Sequence, residues 1–258
     1  MIKNNERLII ANQFNQSKKS TEMKKLFLPL AVMLSFVFNG FVANAQTADE
    51  IINKYVDAIG GKENWKKINS MKVEGNVEVQ GLEIPFTINA VHSKGMRMEG
   101  EFQGSKFIDI LTPEKGWSQN PFAGKATLQP LTADELKEKA DELDIQGAFV
   151  DYKDKGSVVE FLGKDEEDGN EYLKVKLTTK NKNETTYFFD PKTNLIYKQE
   201  STTKQNGQEV KQSVKLLDYQ KTDAGVKVPF KVDQGGMVLA TKKITFNVAV
   251  DEKLFTEK

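Results

Sequence analysis

The feature that most restricts the fold of this chain is a long run, residues 71–111, in which apolar and polar side chains alternate. The alternation is strict from Met71 to Val79 and again from Leu82 to Ala90, with Gln80-Gly81 between them. A period of two places all the apolar side chains on one face of a β-strand. Together with a second turn at Ser93-Lys94-Gly95, the pattern predicts an antiparallel meander with one apolar face.

The rest of the chain adds more strands and two helices. Alternation returns between Val158 and Val248, so we expect ten to twelve strands in all. A capping box at Thr47–Glu50 predicts a helix that ends at Gly60-Gly61. A second capping box at Thr132–Glu135 predicts another helix, with only a narrow apolar stripe, that extends to about Leu143. We therefore predict one mainly β domain with some helix.

A sheet with one apolar face has to bury that face against another layer. A sheet of ten strands or more splits into a sandwich or curls. The two predicted helices are too small to cover so many strands. A curved sheet with helices across its mouth would enclose an apolar cavity, and this is where we expect the function to lie.

The N-terminal region predicts export. Lys24 and Lys25 precede an apolar run of 17 residues, and Ala43-Asn44-Ala45 supplies the small residues that a signal peptidase recognises. A membrane-spanning helix needs about 20 apolar residues, and this run is interrupted by Pro29. We therefore predict a signal peptide at 23–45, with residues 1–22 as a mis-called extension. The alternative for 1–22, a long positively charged leader, gives the same destination.

The predicted mature chain, 46–258, is a single domain of 213 residues with 31 basic and 35 acidic side chains. This balance does not favour nucleic acid as a partner, because nucleic acid requires a basic face. There is no cysteine, and therefore neither a disulfide nor a site for a lipid anchor. We expect a soluble, monomeric periplasmic protein.

The composition also argues against an enzyme. Without cysteine, and with His92 as the single histidine, thiol nucleophiles and multi-histidine metal sites are excluded. His92 lies in VHSKGM, outside any nucleophile elbow, and we interpret it as structural or solvated. The acidic run 165–168 is interpreted as a solvated turn, with a weak calcium site as the alternative. We predict no catalytic residue, no metal and no cofactor.

The most distinctive stretch is ILTPEKGWSQNPFAGKATLQPLTADEL. Its tryptophan, followed by an Asn-Pro-aromatic step and a capped helix, resembles the periplasmic lipoprotein carriers of the LolA type. DPKTNLIYK and the ending VPFKV…KITFNVAVDEKLF are similar to the second half of that family, so the resemblance covers nearly all of 46–258. One position departs from it: Ser93-Lys94-Gly95 stands where the family has a lid-latching arginine, and Arg97 follows on the next strand.

This resemblance implies a strongly curved, unclosed antiparallel barrel of about eleven strands, with helices lidding a cavity for acyl chains. It also implies acyl chains of lipoproteins or lipids as cargo, with an inner-membrane donor and an outer-membrane acceptor as partners. We expect the helix at 132–143 to be a movable lid, 116–124 to be its hinge, and Trp117 and Phe122 to anchor it. The inward-facing positions expected to line the cavity are Val73, Val77, Phe86, Ile88, Met96, Met98, Phe102, Phe230, Ile244 and Phe246.

Two functional hypotheses follow. The first is a periplasmic carrier or chaperone that holds acylated or other lipid-like cargo in an apolar cavity. The second is a non-transporting envelope scaffold or sensor module of the same fold, with an interior filled by its own side chains. Lipid that copurifies with the protein would distinguish the two.

Overall fold

The computed structural model of the protein describes residues 47–121, 124–205 and 208–257, with the side chains of 204, 205 and 208 left out. The predicted signal peptide, the extension before it and Phe122 lie outside the described residues. Within the described part, no helix is long and apolar enough to cross a membrane.

The described chain forms one antiparallel sheet of thirteen strands, whose order is β6-β5-β4-β3-β2-β1-β13-β12-β11-β10-β9-β8-β7. The sheet is not closed, because β6 and β7 stand at its two ends. The strands are β1 Ser70–Val79, β2 Leu82–Val91, β3 Gly95–Phe102, β4 Ser105–Leu111, β5 Gly116–Asn120, β6 Lys125–Pro130, β7 Val158–Glu167, β8 Asn170–Thr178, β9 Glu184–Phe189, β10 Ile196–Gln205, β11 Gln208–Lys221, β12 Lys227–Asp233 and β13 Met237–Phe246.

Three α-helices and two 3-10 helices accompany the sheet. They are α1 Ala48–Ala58, α2 Lys62–Trp65, α3 Ala133–Lys139 and the 3-10 helices Ala140–Leu143 and Glu252–Phe255. Both predicted capping boxes are present, at Thr47 and at Thr132. In each, the threonine side chain accepts from the backbone of a glutamate that in turn accepts from the threonine N–H, so two orphan donors are satisfied.

The predicted fold class is confirmed, but the number of strands is thirteen and not about eleven. The segment 116–124, expected to be the hinge of the lid, overlaps the hairpin of β5 and β6. No period of two marks β6, because it is an edge strand of largely exposed residues and has no apolar face to bury. Residues 116–120 therefore belong to the sheet.

Helices cover only part of the inner face of the sheet, where the apolar core divides into three clusters. Around α1, Ile51, Ile52 and Val56 pack on β8 to β10, and we call this the α1 cluster. Around α2, Trp65 and Ile68 pack with Ala90, Ile145, Val150 and Val226, and we call this the Trp65 cluster. The third, the open-face cluster, consists of Val73, Val77, Ile84 and Phe86 with half-buried neighbours, all of them strand residues in the described part of the chain.

Candidate functional site

The open-face cluster is built from rows of side chains that the strand register places side by side. In the central row, Val73 of β1 pairs with Ile244 of β13 and with Ile88 of β2, and Ile88 pairs in turn with Met98 of β3. Directly opposed residues of an antiparallel sheet share a face. The row is therefore a continuous apolar strip across four strands.

A second row lies nearer to one end of the same strands. Val77 pairs with Leu239 and Ile84, and beyond it Val79 pairs with Met237 and Leu82. Leu82 and Met237 are 45% and 37% exposed. The apolar face thus reaches solvent at the end formed by the β1–β2 and β12–β13 turns.

The opposite end of these strands is filled by the protein itself. Met71 and Ala90, which are paired, and Met96, which pairs with Ala90, pack in the Trp65 cluster. Here α2 and the segment around Ile145 cover the apolar side chains of the strands. Among the described residues, the hydrophobic side chains that pack in the open-face cluster all come from strands. Its four core residues, Val73, Val77, Ile84 and Phe86, are 4–8% exposed.

The predicted cavity residues are largely brought together by this arrangement. Seven of them belong to the open-face cluster, namely Val73, Val77, Phe86, Ile88, Met98, Phe102 and Ile244. Met96 and Phe246 pack in the neighbouring Trp65 cluster. Phe230 is half-buried on β12 outside both groups.

Trp117 is separated from the cluster. Met98 pairs with Asp109, and Asp109 with Ser118, so Ser118 shares the inner face. The neighbouring residue, Trp117, pairs with Ile110 and points to the other face. It is half-buried there, away from the position expected of a lid anchor.

The segment predicted as a lid is held in place by polar contacts. Asp141 Oδ2 accepts from Thr179 Oγ1 at 2.9 Å and from Asn183 Nδ2 at 2.7 Å, while its Oδ1 accepts from Asn181 Nδ2 at 2.8 Å. Asn183 Nδ2 also lies 3.2 Å from the carbonyl oxygen of Glu138. We call these contacts between Asp141 and the β8–β9 turn the Asp141 latch.

Sequence reasoning missed this latch. A signal was present in the run TTKNKNE at 178–184, because amide and hydroxyl side chains in a turn are free to hydrogen-bond elsewhere.

Among the described residues, the basic residues near the position of the family's arginine contact the C-terminal 3-10 helix and not the lid segment. Lys94 forms an ion pair of 2.7 Å with Glu252, and Arg97 donates to the carbonyl of Leu254 at 3.3 Å. Both hold the C-terminal 3-10 helix.

The clefts beside the latch are lined by polar and apolar side chains together, and the apolar ones include Leu143, Ala148 and Leu177. One, of about 750 Å³, is lined by Glu138, Asp141 and Glu142 and by hydroxyl and charged side chains of β8 to β11. Another, of about 540 Å³, is lined by His92, Asp144 and Lys155 among others. The lid segment therefore adjoins clefts whose linings contain both polar and apolar side chains. In the described residues no group of three or more His, Asp or Glu side chains is placed to hold a metal ion.

Comparison with solved structures identifies the fold. The structure matches a LolA superfamily protein from Nitrosomonas europaea with a TM-score of 0.52 and 13% identity, covering 83% of this chain and 99% of that one. It also aligns with a DUF1329 family protein from Desulfovibrio piger at a TM-score of 0.49 and 12% identity, covering 78% and 95% of the two chains. No family model and no curated protein matches the sequence. The fold is LolA-like, as the resemblance predicted.

Proposed function

We propose that this protein is exported to the periplasm, where it binds an acylated or lipid-like cargo whose apolar chain lies along the open-face cluster. The observation that carries the proposal is the strip Ile244–Val73–Ile88–Met98 with its solvent-exposed continuation at Leu82 and Met237. A fold by itself does not imply a function. The proposed binding of cargo therefore rests on the apolar side chains of this face. The LolA-like fold of the protein is consistent with the proposal.

The chemistry of the face suits an acyl chain. Its half-buried residues include Met98 and Phe102, and no hydrophobic side chain of a described helix packs in the cluster. A flexible thioether adapts to ligands of irregular shape. Each methylene that is buried contributes about 0.8 kcal/mol, so burial of a dozen carbons supplies roughly 10 kcal/mol, against which the cost of association is set.

The test is a titration with the fluorescent fatty acid 11-(dansylamino)undecanoic acid. Ile88→Glu places a carboxylate in the apolar strip, and we expect it to weaken binding at least tenfold. Asn89→Glu is the matched control: it lies one residue away on the opposite face, between Lys72 and Arg97, and binding should stay within twofold of wild type. Thermal unfolding of both variants confirms that they are folded. Equal affinities for the two variants would remove the open face as the binding site.

A non-transporting scaffold or sensor remains the second candidate, and one observation favours it. Helices α1 and α2, together with residues 145–150, already fill much of the inner face. Lipid extraction of protein purified from cells, followed by mass spectrometry, separates the candidates. Stoichiometric copurified lipid supports the binding protein, whereas lipid-free protein with no affinity for the dansyl probe supports the scaffold.

A further inference from the structure

The edge strand β7 exposes an apolar segment, and one side of that segment pairs with no other strand in the described part of the chain. β7 is the last strand of the sheet and is hydrogen-bonded only to β8. Its first five residues, Val158 to Leu162, include four apolar side chains. Val158 is 67% exposed and Leu162 is 41% exposed. A strand of this kind presents a free row of backbone donors and acceptors to another chain.

The rest of β7 carries the features by which proteins protect an edge. The register shifts between Phe161 and Gly163, and four charged residues follow at 164–167. The other edge strand, β6, has only six residues, begins with Lys125, ends with Pro130 and also contains a register shift. Bulges, charges, proline and short length all discourage edge pairing. Residues 158–162 therefore stand out as the apolar part of β7, which ends at the register shift at Leu162 and carries a single charge, Glu160.

The two faces of this segment define what a partner strand would meet. Val159 and Phe161 pack against the α1 cluster on the inner face. Val158 and Leu162, at alternate positions, lie on the outer face with Glu160 between them, and Glu160 already forms an ion pair of 3.0 Å with Lys176. Five residues of strand span about 17 Å. A neutral strand with apolar side chains at alternate positions fits this length.

The end of β7 adds a charge preference. Beyond the apolar segment, Glu166 and Asp168 are exposed, and neither forms a salt bridge among the described residues. In an antiparallel pairing, the N-terminal part of an added strand would lie beside them. Basic residues there would gain favourable interactions that become weaker with salt.

From these observations we propose that residues 158–162 bind an extended peptide of a protein partner as an added antiparallel strand. The peptide carries apolar side chains at alternate positions, with basic residues before them. A second copy of this chain is a poorer occupant. When Val158 of one copy faces Leu162 of the other, the two Glu160 side chains are directly opposed, and opposed like charges destabilise a strand pair.

The probe is a synthetic fluorescein-labelled peptide, Lys-Lys-Thr-Ser-Val-Val-Thr-Val-Val with a C-terminal amide, titrated with the full chain by fluorescence anisotropy. We expect saturable binding to wild type, weakened at least tenfold by the double change Val158→Lys and Leu162→Lys. The double change Thr127→Lys and Gln129→Lys is the matched control, since it alters two exposed residues at alternate positions of the other edge strand, β6, and should stay within twofold. Glu166→Lys should weaken binding and reduce its salt dependence.

A version of the peptide N-methylated at alternate residues tests the backbone pairing, and we expect it not to bind. The proposal is overturned if wild type does not bind the peptide, if the methylated peptide binds equally well, or if the double lysine change in β6 abolishes binding. Sedimentation that reveals a dimer dissociated by Val158→Lys would also overturn it, because the occupant would then be a second copy. Binding of the dansyl fatty acid is measured in parallel and should be unchanged by the β7 variants, which keeps this proposal separate from the one for the open face.

Discussion

At the scale of single residues, two glycines make room for the aromatic rings of the open face. Gly75 and Gly100 both pair with Phe86, on either side of it. A Cβ at Gly75 would lie 2.3 Å from the carbonyl oxygen of Ala240 and 3.0 Å from the Phe86 ring, and a Cβ at Gly100 would lie 2.2 Å from the ring of Phe107. A side chain at either position would collide with an aromatic ring. The packing of the rings on the apolar face therefore requires glycine at both positions.

His92 gives a prediction at this scale. Its Nδ1 makes no hydrogen bond within the described part of the chain and lies 3.7 Å from Asp144 Oδ1. Burial lowers the pKa of His92 below its usual 6.5, although the Asp144 carboxylate opposes this and Lys155 adds to the lowering. The unfolded chain therefore takes up the proton first as pH falls.

The contribution of neutral His92 to stability is accordingly complete above pH 6.5, and it is lost as the pH falls through the lowered pKa of the folded state. Wild type should lose more free energy of unfolding than His92→Gln between pH 7.5 and 5.5. Urea titrations at the two pH values measure this difference. An equal loss in the two proteins would mean that His92 does not titrate differently on folding.

At the scale of elements, the segment formed by α3 and the following 3-10 helix has little apolar packing. No residue of α3 is buried, and only Leu143 of the 3-10 helix is. A segment with so few buried contacts opens readily unless polar contacts hold it. The Asp141 latch supplies those contacts, and the backbone N–H of Ser93 adds one more to the carbonyl of Leu143 at 2.9 Å.

Removing the latch should therefore release this element while the sheet stays folded. We expect Asp141→Ala to reduce hydrogen-exchange protection at 133–143 at least tenfold, because each hydrogen bond to a charged group is worth about 1.5–3 kcal/mol. Lys137→Ala is the control, since it removes an exposed side chain and keeps the carbonyl near Asn183. Unchanged protection in Asp141→Ala would show that the segment is held by other contacts.

At the scale of the whole molecule, the two ends of the domain are joined through one strand pair. β1 lies next to β13, so a strand near the start of the domain is hydrogen-bonded to one near its end, from Met71–Phe246 to Val79–Met237. The first meander, β1 to β6, and the second, β7 to β13, thus share one continuous ladder. The Trp65 cluster packs across the same junction, because it contains both Ala90 and Val226.

We expect this junction to make unfolding of the domain a single cooperative transition. Both tryptophans, Trp65 and Trp117, lie in the first half of the domain, whereas far-UV circular dichroism reports on all strands. The urea midpoints of tryptophan fluorescence and circular dichroism should coincide. Separate midpoints would show that the two meanders unfold independently.

The sequence by itself determined the type of the elements and much of the open face. Period-two alternation located β1 to β4, and the capping boxes at Thr47 and Thr132 located α1 and α3, because both signals are local. The same parity grouped Val73, Ile88 and Met98. A side chain's face follows directly from its position within a strand, so this part of the site needed no knowledge of distant contacts.

Only the tertiary structure decided which parts of the apolar face are covered. Helix α1 was predicted, but the docking of α1 on β8 to β10 and of α2 beside Ala90 depends on contacts between residues far apart in the chain. The hairpin of β5 and β6, the outward direction of Trp117 and the Asp141 latch were also unpredicted. The physical reason is the same in each case: an edge strand, a register or a polar latch is specified by the partner it meets, and sequence periodicity reports only on burial.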